Sequence, residues 1–269
     1  MTTALPGGTR RTQDVPGHWL LARVGKRVLR PGGAGLTRRL LERAAPAGAD
    51  VVELAPGLGR TAARIVAAGP ASYVGVDADA DAVRIVGGVV AGHGRCVRAD
   101  AAATGLPARC ADVVVGEAML TMQSDRGKLA VVAEATRLLR PGGRYAIHEL
   151  ALAPDDLDPL VATQVRRELA RAIKVNARPL TVAQWRTLLQ DAGLVVDWVG
   201  TAPMALLQVR RNLADEGLRG VLRIVRNLAR DGDARRRVLA MRAVFARYAD
   251  DLVGVALVAH LPTSEEDHP

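Results

Sequence analysis

The chain has 269 residues, 49% apolar and 24% charged, and its length predicts either one large domain with an insertion or two domains. So much apolar sequence can bury a core, which excludes a disordered chain, and the run Leu252 to Ala259 is far shorter than the roughly 20 residues that span a bilayer. Basic residues number 37 against 28 acidic ones; residues 160–247 hold 17 basic and 7 acidic side chains, so the positive excess belongs to one region.

At the start of the chain, Arg10 and Arg11 are followed by no apolar stretch. A secretory or twin-arginine signal is therefore not expected, and the cytoplasm is the expected compartment. His18 to Leu29 and Gly35 to Ala45 have helical patterns separated by a Pro-Gly-Gly breaker at 31–33. They predict an arm over the sheet edge.

From residue 50 short β-branched runs alternate with helical stretches, the rhythm of parallel βαβ units. Strands are predicted at 50–54, 72–76, 94–98, 111–115, 143–149, 194–199 and 252–260. Helices are predicted at about 60–68, 79–91, 126–139, 156–175 and 181–191. The fold class is α/β, a Rossmann-like, seven-stranded sheet with helices on both faces, plus the N-terminal arm and a helical insertion before the last strand. The boundaries are 1–34 for the arm, 35–202 for the core, 203–248 for the insertion and 249–269 for the last strand and tail.

The insertion carries an apolar stripe, Val221, Ile224, Val225 and Leu228, beside a basic one, Arg219, Arg223, Arg226 and Arg230. A second helix repeats the design with Val238, Met241, Phe245 and Tyr248. This hairpin is expected to shape a substrate pocket or a homodimer contact. Its arginines suit a solvated face, an anionic-substrate or membrane-surface patch, or, last, a nucleic-acid surface, because the whole chain has seven aromatic residues to stack on bases. Cys96 and Cys110 have no zinc-like spacing, so no metal site is expected.

The sharpest segment is VVELAPGLGRTA at 51–62, a buried strand running into a glycine-containing turn and a helix. In an open parallel sheet ligands bind at this place. Gly57 and Gly59 permit close backbone approach, and Asp77, 18 residues beyond Gly59 at the end of the next strand, can accept hydrogen bonds from ribose hydroxyls. Gly57, Gly59 and Ala62 also satisfy G-x-G-x-x-A, which taken alone permits a nicotinamide dinucleotide. Asp77 and Asp100 could equally be helix N-caps, and Glu117 a solvated loop carboxylate.

The motifs ELAPGLG at 53–59, VGVD at 74–77, RADA at 98–101, LP at 106–107, DVVVGE at 112–117 and LRPGG at 139–143 follow in order. Over roughly residues 35–200 and the last strand, the chain resembles the class I S-adenosyl-L-methionine-dependent methyltransferases, in particular the small-molecule branch similar to ubiquinone and menaquinone biosynthesis enzymes. That resemblance implies an antiparallel last strand, S-adenosyl-L-methionine as cofactor and a small-molecule acceptor. It places Glu53, Leu54, Ala55, Pro56, Gly57 and Gly59 around the methionyl part. Asp77 with Ala78 would lie at the ribose, Asp100 with Ala101 at the adenine, and Glu117 with Ala118 beside the amino acid or sulfonium end. Ala55 departs from the pattern, which has glycine there; a backbone with negative φ would accept the methyl group.

Methyl transfer is an in-line displacement that can rest largely on positioning. Where the acceptor must lose a proton, the candidate bases are His148, Glu149 and Glu117, and as strand neighbours His148 and Glu149 face opposite ways. His18 and Trp19 on the arm either close over the pocket or only pack, and Thr121, Met122 and Gln123 are placed at the acceptor pocket by position. The competing readings are a catalytically silent S-adenosylmethionine-binding regulator and an RNA methyltransferase.

Overall fold

The computed structural model describes residues 17–25, 30–204 and 209–263, without the side chains of His18, 209–216 and 218. The chain begins with α1 (Gly17–Arg23) and α2 (Gly33–Ala44), followed by β1 (Asp50–Leu54), α3 (Arg60–Ala67), β2 (Ser72–Asp77), α4 (Ala80–Val89), β3 (Arg95–Arg98) and β4 (Ala111–Glu117). After a 3-10 turn at Leu120–Met122 come α5 (Asp125–Leu138), β5 (Leu139–Leu152), α6 (Pro159–Ile173), β6 (Leu180–Thr181) and α7 (Val182–Gln190). The chain continues through β7 (Val195–Pro203), α8 (Val209–Arg230), α9 (Gly232–Arg247) and β8 (Leu252–His260).

The sheet order is β3-β2-β1-β4-β5-β8-β7, with β6 paired to β5. β8 lies antiparallel between β5 and β7, while β1 to β5 run parallel. The strand register alternates buried side chains between two faces. Val51, Val113 and Val258 meet Leu36, Leu40 and Ile65 of α2 and α3. Val52, Val114, Ile147 and Leu257 meet Leu138, Trp185 and Leu189 of α5 and α7.

A separate core of Leu20, Leu21, Val165, Leu169, Met241 and Phe245 binds α1, α6 and α9 together beside the end of β5. Ile224 and Leu228 of α8 pack against it, whereas Val225 of the predicted apolar stripe is 57% exposed.

The departures from the expected elements are local. The sheet has an eighth strand, the two-residue β6, too short to leave a periodic pattern. β5 extends beyond 143–149 in both directions: Leu139 at its start pairs with Ala111 of β4, and β8 pairs with its far end as far as Leu152. The helix expected at 18–29 ends at Arg23, since Gly25 takes φ 101°, which a right-handed helix cannot hold.

Gly254 on β8 brings the Pro31–Gly32 backbone down onto the sheet. A Cβ there would stand 2.6 Å from the Gly32 nitrogen and 2.8 Å from the Pro31 carbonyl oxygen, closer than real contacts allow. Above, Arg223 Nη2 and Asn227 Nδ2 of α8 donate to the Gly25 and Val24 carbonyls (2.8 and 3.2 Å). These carbonyls end α1, where a cation and donors are favoured by the helix dipole. Arg223 thus departs from a plain solvated face.

Candidate active site

A cavity of about 250 Å³ opens at the C-terminal tips of β1, β2 and β4. Its floor is the turn after β1. Ala55 holds φ +52°, Gly57 +54° and Gly59 +69°, and Gly59 caps α3. The negative φ under which alanine would fit at 55 is not what the chain adopts. The Ala55 N–H instead donates to the Val76 carbonyl (2.8 Å), which fixes the left-handed turn against β2. Ala118, which also lines the cavity, is a second alanine with positive φ (53°).

Three carboxylates face this space. Asp77 accepts the Gly57 N–H at Oδ2 (3.0 Å) and the Asp79 N–H at Oδ1 (2.9 Å), so it clamps the turn. The N-cap of α4 is Asp79, not Asp77. Burial raises the Asp77 carboxyl above its ordinary value. Glu53 is 2% exposed and accepts the Tyr73 hydroxyl (2.6 Å). Burial pushes its pKa up to about 8, although the Tyr73 hydrogen bond opposes the shift.

Glu117 has the opposite fate. Burial alone would raise its carboxyl, but the charge of Arg30 and contacts with His148 and Thr37 hold it far below the usual carboxylate range. Arg30 Nη1 donates to Glu117 Oε2 (2.6 Å), to Thr61 Oγ1 (2.7 Å) and to Thr37 Oγ1 (2.9 Å). The Thr37 hydroxyl donates to Glu117 Oε1 (2.6 Å), and the Thr61 hydroxyl donates to Oε2.

His148 is fully buried behind this cluster. Its Nδ1 lies 2.8 Å from Glu117 Oε1, and its Nε2 faces the Pro31 carbonyl oxygen. Both ring nitrogens face neighbours inside the fold, and the ring, with no exposed surface, lines neither cavity. Glu149, on the other face, is saturated. Oε1 accepts the Met119 and Leu120 N–H groups (3.0 and 2.7 Å), and Oε2 accepts the Thr121 N–H and hydroxyl (3.0 and 2.6 Å). Burial raises its carboxyl against these donors.

A second cavity of about 100 Å³ adjoins the first and shares Ala118 and Met122 with it. Leu21 of α1, Leu150, Ile173 at the end of α6, Met204, and Met241 and Phe245 of α9 make its walls, with Thr121 and Glu149 at one side. α1 spans both spaces, because Trp19 lines the first cavity and Gly17 and Leu21 the second.

The structure therefore brings together Trp19, Glu53, Ala55, Pro56, Gly57, Asp77, Glu117, Ala118 and Met122 around the first cavity. Leu54 is buried in the core beneath it. Asp100, Ala101, Ala78, Gly59 and Gln123 do not line either cavity. Asp100 Oδ1 instead accepts the Ala102 N–H (2.8 Å) within its own turn. The side chain of His18 lies outside the described residues. Arg30 and Ile173 of α6 were not singled out by sequence, since they belong to no motif and converge only through packing; Thr61 lies in the 51–62 segment without an expected role, and Met241 and Phe245 stood in the hairpin expected at a substrate pocket or a dimer contact.

A metal has no candidate donor set here: among the described residues no group of three or more His, Cys, Asp or Glu side chains could hold one. Cys96 and Cys110 are free thiols whose pKa burial raises, Cys96 to about 12. No described helix is long and apolar enough to cross a membrane.

The carboxyl oxygens of the cavity suit hydroxyl donors, and the ionised Glu117 suits a positive charge. A family profile described as a methyltransferase domain matches residues 51–143. An uncharacterized protein of Haemophilus influenzae is 31% identical over 221 residues, covering 80% of this chain and 86% of its own. The crystal structure of the [4+2]-cyclase SpnF superposes with a TM-score of 0.68 at 18% identity, covering 91% of this chain and 93% of that one. Phosphoethanolamine N-methyltransferase 2 of Haemonchus contortus, solved with S-adenosyl-L-methionine, gives 0.65 at 15% identity, over 92% of this chain and 56% of that one. The strand-tip cavity, the order of the sheet and the matched domain agree, and the chain belongs to the class I S-adenosyl-L-methionine-dependent methyltransferases.

Proposed function

We propose that the protein moves the methyl group of S-adenosyl-L-methionine onto a small molecule with a neutral, apolar body. One observation carries this reading: the second cavity abuts the cofactor cavity at Ala118 and Met122 and is walled by Leu, Ile, Met and Phe side chains. Its two polar residues, Thr121 and Glu149, are spent on each other and on backbone donors. A charged group placed there would be desolvated without a partner. Methionine walls adapt to varied apolar shapes. The resemblance to quinone-biosynthesis methyltransferases supports an acceptor of the same character.

When bound, the cofactor supplies an electrophilic methyl group on a sulfonium. The chain's own residues bind and orient. Glu117, kept ionised beside Arg30, places negative charge at the cavity, Asp77 and the proton-holding Glu53 line it with carboxyl oxygens, and the 55–59 turn keeps side chains out of the way. Asp77, although engaged by Gly57 and Asp79, retains lone pairs for hydroxyl donors. Trp19 and Leu21 on α1 cover the two cavities and exclude water, so acceleration comes from alignment in a dry site.

His148 and Glu149 act as braces: His148 supports the Arg30–Glu117 cluster, and Glu149 holds the 119–121 turn on which both cavities meet. The acceptor side is formed by Leu21 of the arm, Met204, Met241 and Phe245 of the insertion and Thr121, Leu150 and Ile173 of the core, and the strand-tip residues of the core hold the cofactor.

The test is an incubation of the protein with methyl-labelled S-adenosyl-L-methionine and a cell extract, followed by mass spectrometry. Label in a neutral apolar metabolite is the expected result. Label confined to RNA, or to phosphate-bearing metabolites, would overturn the acceptor assignment.

A further inference from the structure

Arg30 is the feature of the cavity that the reaction so far leaves unused. It lies outside every sequence motif, in the segment between the two arm helices, yet it reaches the cofactor cavity with only 8% of its surface exposed. Among the described residues, its three hydrogen bonds, to Glu117, Thr61 and Thr37, all leave from Nη1. Among the described residues, neither Nε nor Nη2 has a hydrogen-bond partner. A guanidinium has five N–H donors in a planar fork, and Arg30, which lines the cavity, keeps the donors of two of its nitrogens available there. An anion arriving from the cavity would engage them.

The surroundings specify which anion. The ionised Glu117 stands 2.6 Å from Nη1 and Asp77 lines the same space, so a purely anionic ligand such as phosphate would be repelled. A zwitterion would not be. An α-amino acid presents an ammonium and a carboxylate side by side, and the Arg30–Glu117 pair presents the complementary charges side by side. The Arg30 segment is also built to stay in place: Gly254 seats Pro31 and Gly32 on β8, and His148 holds the Pro31 carbonyl.

We propose that Arg30 is a cofactor-binding residue whose free guanidinium edge takes the carboxylate of the methionyl end, while Glu117 faces the ammonium. The proposal rests on the cofactor reading above and adds to it the residue that tells the amino-acid form of the nucleoside from its truncated forms. It also gives the arm a function in binding as well as covering.

The test is isothermal titration calorimetry with two ligands, S-adenosylhomocysteine, which carries the amino-acid end, and 5′-methylthioadenosine, which lacks it. Losing hydrogen bonds to a charged group predicts that Arg30→Gln weakens S-adenosylhomocysteine by about 10- to 100-fold. It should leave 5′-methylthioadenosine within about twofold, since the lost bonds are absent from that complex. Arg30→Lys keeps the charge without the planar fork and should fall between Gln and wild type for S-adenosylhomocysteine alone.

The wild-type protein gives a readout that needs no variant to fold: decarboxylated S-adenosylhomocysteine should bind more weakly than the parent by a factor similar to the Arg30→Gln loss. Equal weakening of both ligands in the Arg30 variants, or equal affinity of wild type for the parent and decarboxylated ligands, would overturn the proposal. If wild type bound neither S-adenosylhomocysteine nor 5′-methylthioadenosine, the cofactor reading itself would fall, an outcome distinct from the loss of selectivity.

Discussion

At the residue scale, three carboxylates of one cavity are held in different states by their neighbours. Glu53 has only a tyrosine hydroxyl to offset its burial and rises to about 8, whereas Glu117 meets Arg30 and stays ionised. The folded protein therefore holds a proton on Glu53 that the unfolded chain releases near 4.5. The stability this contributes is complete below pH 4.5 and is lost as pH rises through about 8. Chemical denaturation of wild type and Glu53→Gln between pH 5 and 9 should show wild type losing stability relative to the variant as pH increases. Parallel pH profiles would contradict this.

Glu149 offers a second check. Exchanging its four-fold accepting carboxylate for an amide leaves backbone donors facing an N–H₂ group, so Glu149→Gln should cost about 2–3 kcal/mol of stability. A variant with wild-type stability and lost turnover would instead restore Glu149 as a base. Ala55 and Ala118 hold left-handed backbone at a cost of order 1 kcal/mol each, and both line the cavity. Sequence showed the departure at Ala55 but not its conformation, because φ there is set by the Val76 carbonyl on a neighbouring strand. Glu53, Asp77 and Glu117 were legible because each sits at a strand tip; Arg30 was not, because its place depends on Gly254, far along the chain.

At the element scale, the arm is positioned by contacts with the end of the chain. Gly254→Ala would drive a methyl group into the Pro31–Gly32 backbone, whose atoms leave no room within 2.8 Å. The arm must then lift and carry Arg30 with it. The variant should lose about 1–3 kcal/mol of stability as an overpacked site. It should also weaken S-adenosylhomocysteine binding more than 5′-methylthioadenosine binding. Undiminished affinity in calorimetry would show that Pro31 and Gly32 do not govern the site. The helices and long strands were readable from periodicity, and the insertion from its paired stripes. What the stripes concealed was direction: Arg223 turns to the carbonyls that end α1, while Val225 faces solvent. Period alone cannot tell which face a neighbour will cover.

At the scale of the whole molecule, the order of the sheet puts the ends of β1, β2 and β4 beside one another and leaves the adjoining apolar space to α1, α6 and α9. The parallel core was written in the sequence as ordered motifs. The acceptor chamber was written only in part: the hairpin carrying Met241 and Phe245 and the segment of Thr121 and Met122 were expected near a pocket, but Leu21, Leu150 and Ile173 come from distant positions that no local pattern links. A [4+2]-cyclase shares this fold, so the architecture alone does not fix the chemistry, and the site must carry it.

The measurement that bears most directly on the site is calorimetric titration of S-adenosyl-L-methionine into wild type and Asp77→Ala. Saturable one-site binding, weakened in the variant by about 1–3 kcal/mol through loss of a buried hydrogen-bonding carboxylate, is the expected result. Equal affinity in the two proteins, or no binding to wild type, would contradict the placement of the cofactor at the tips of β1, β2 and β4.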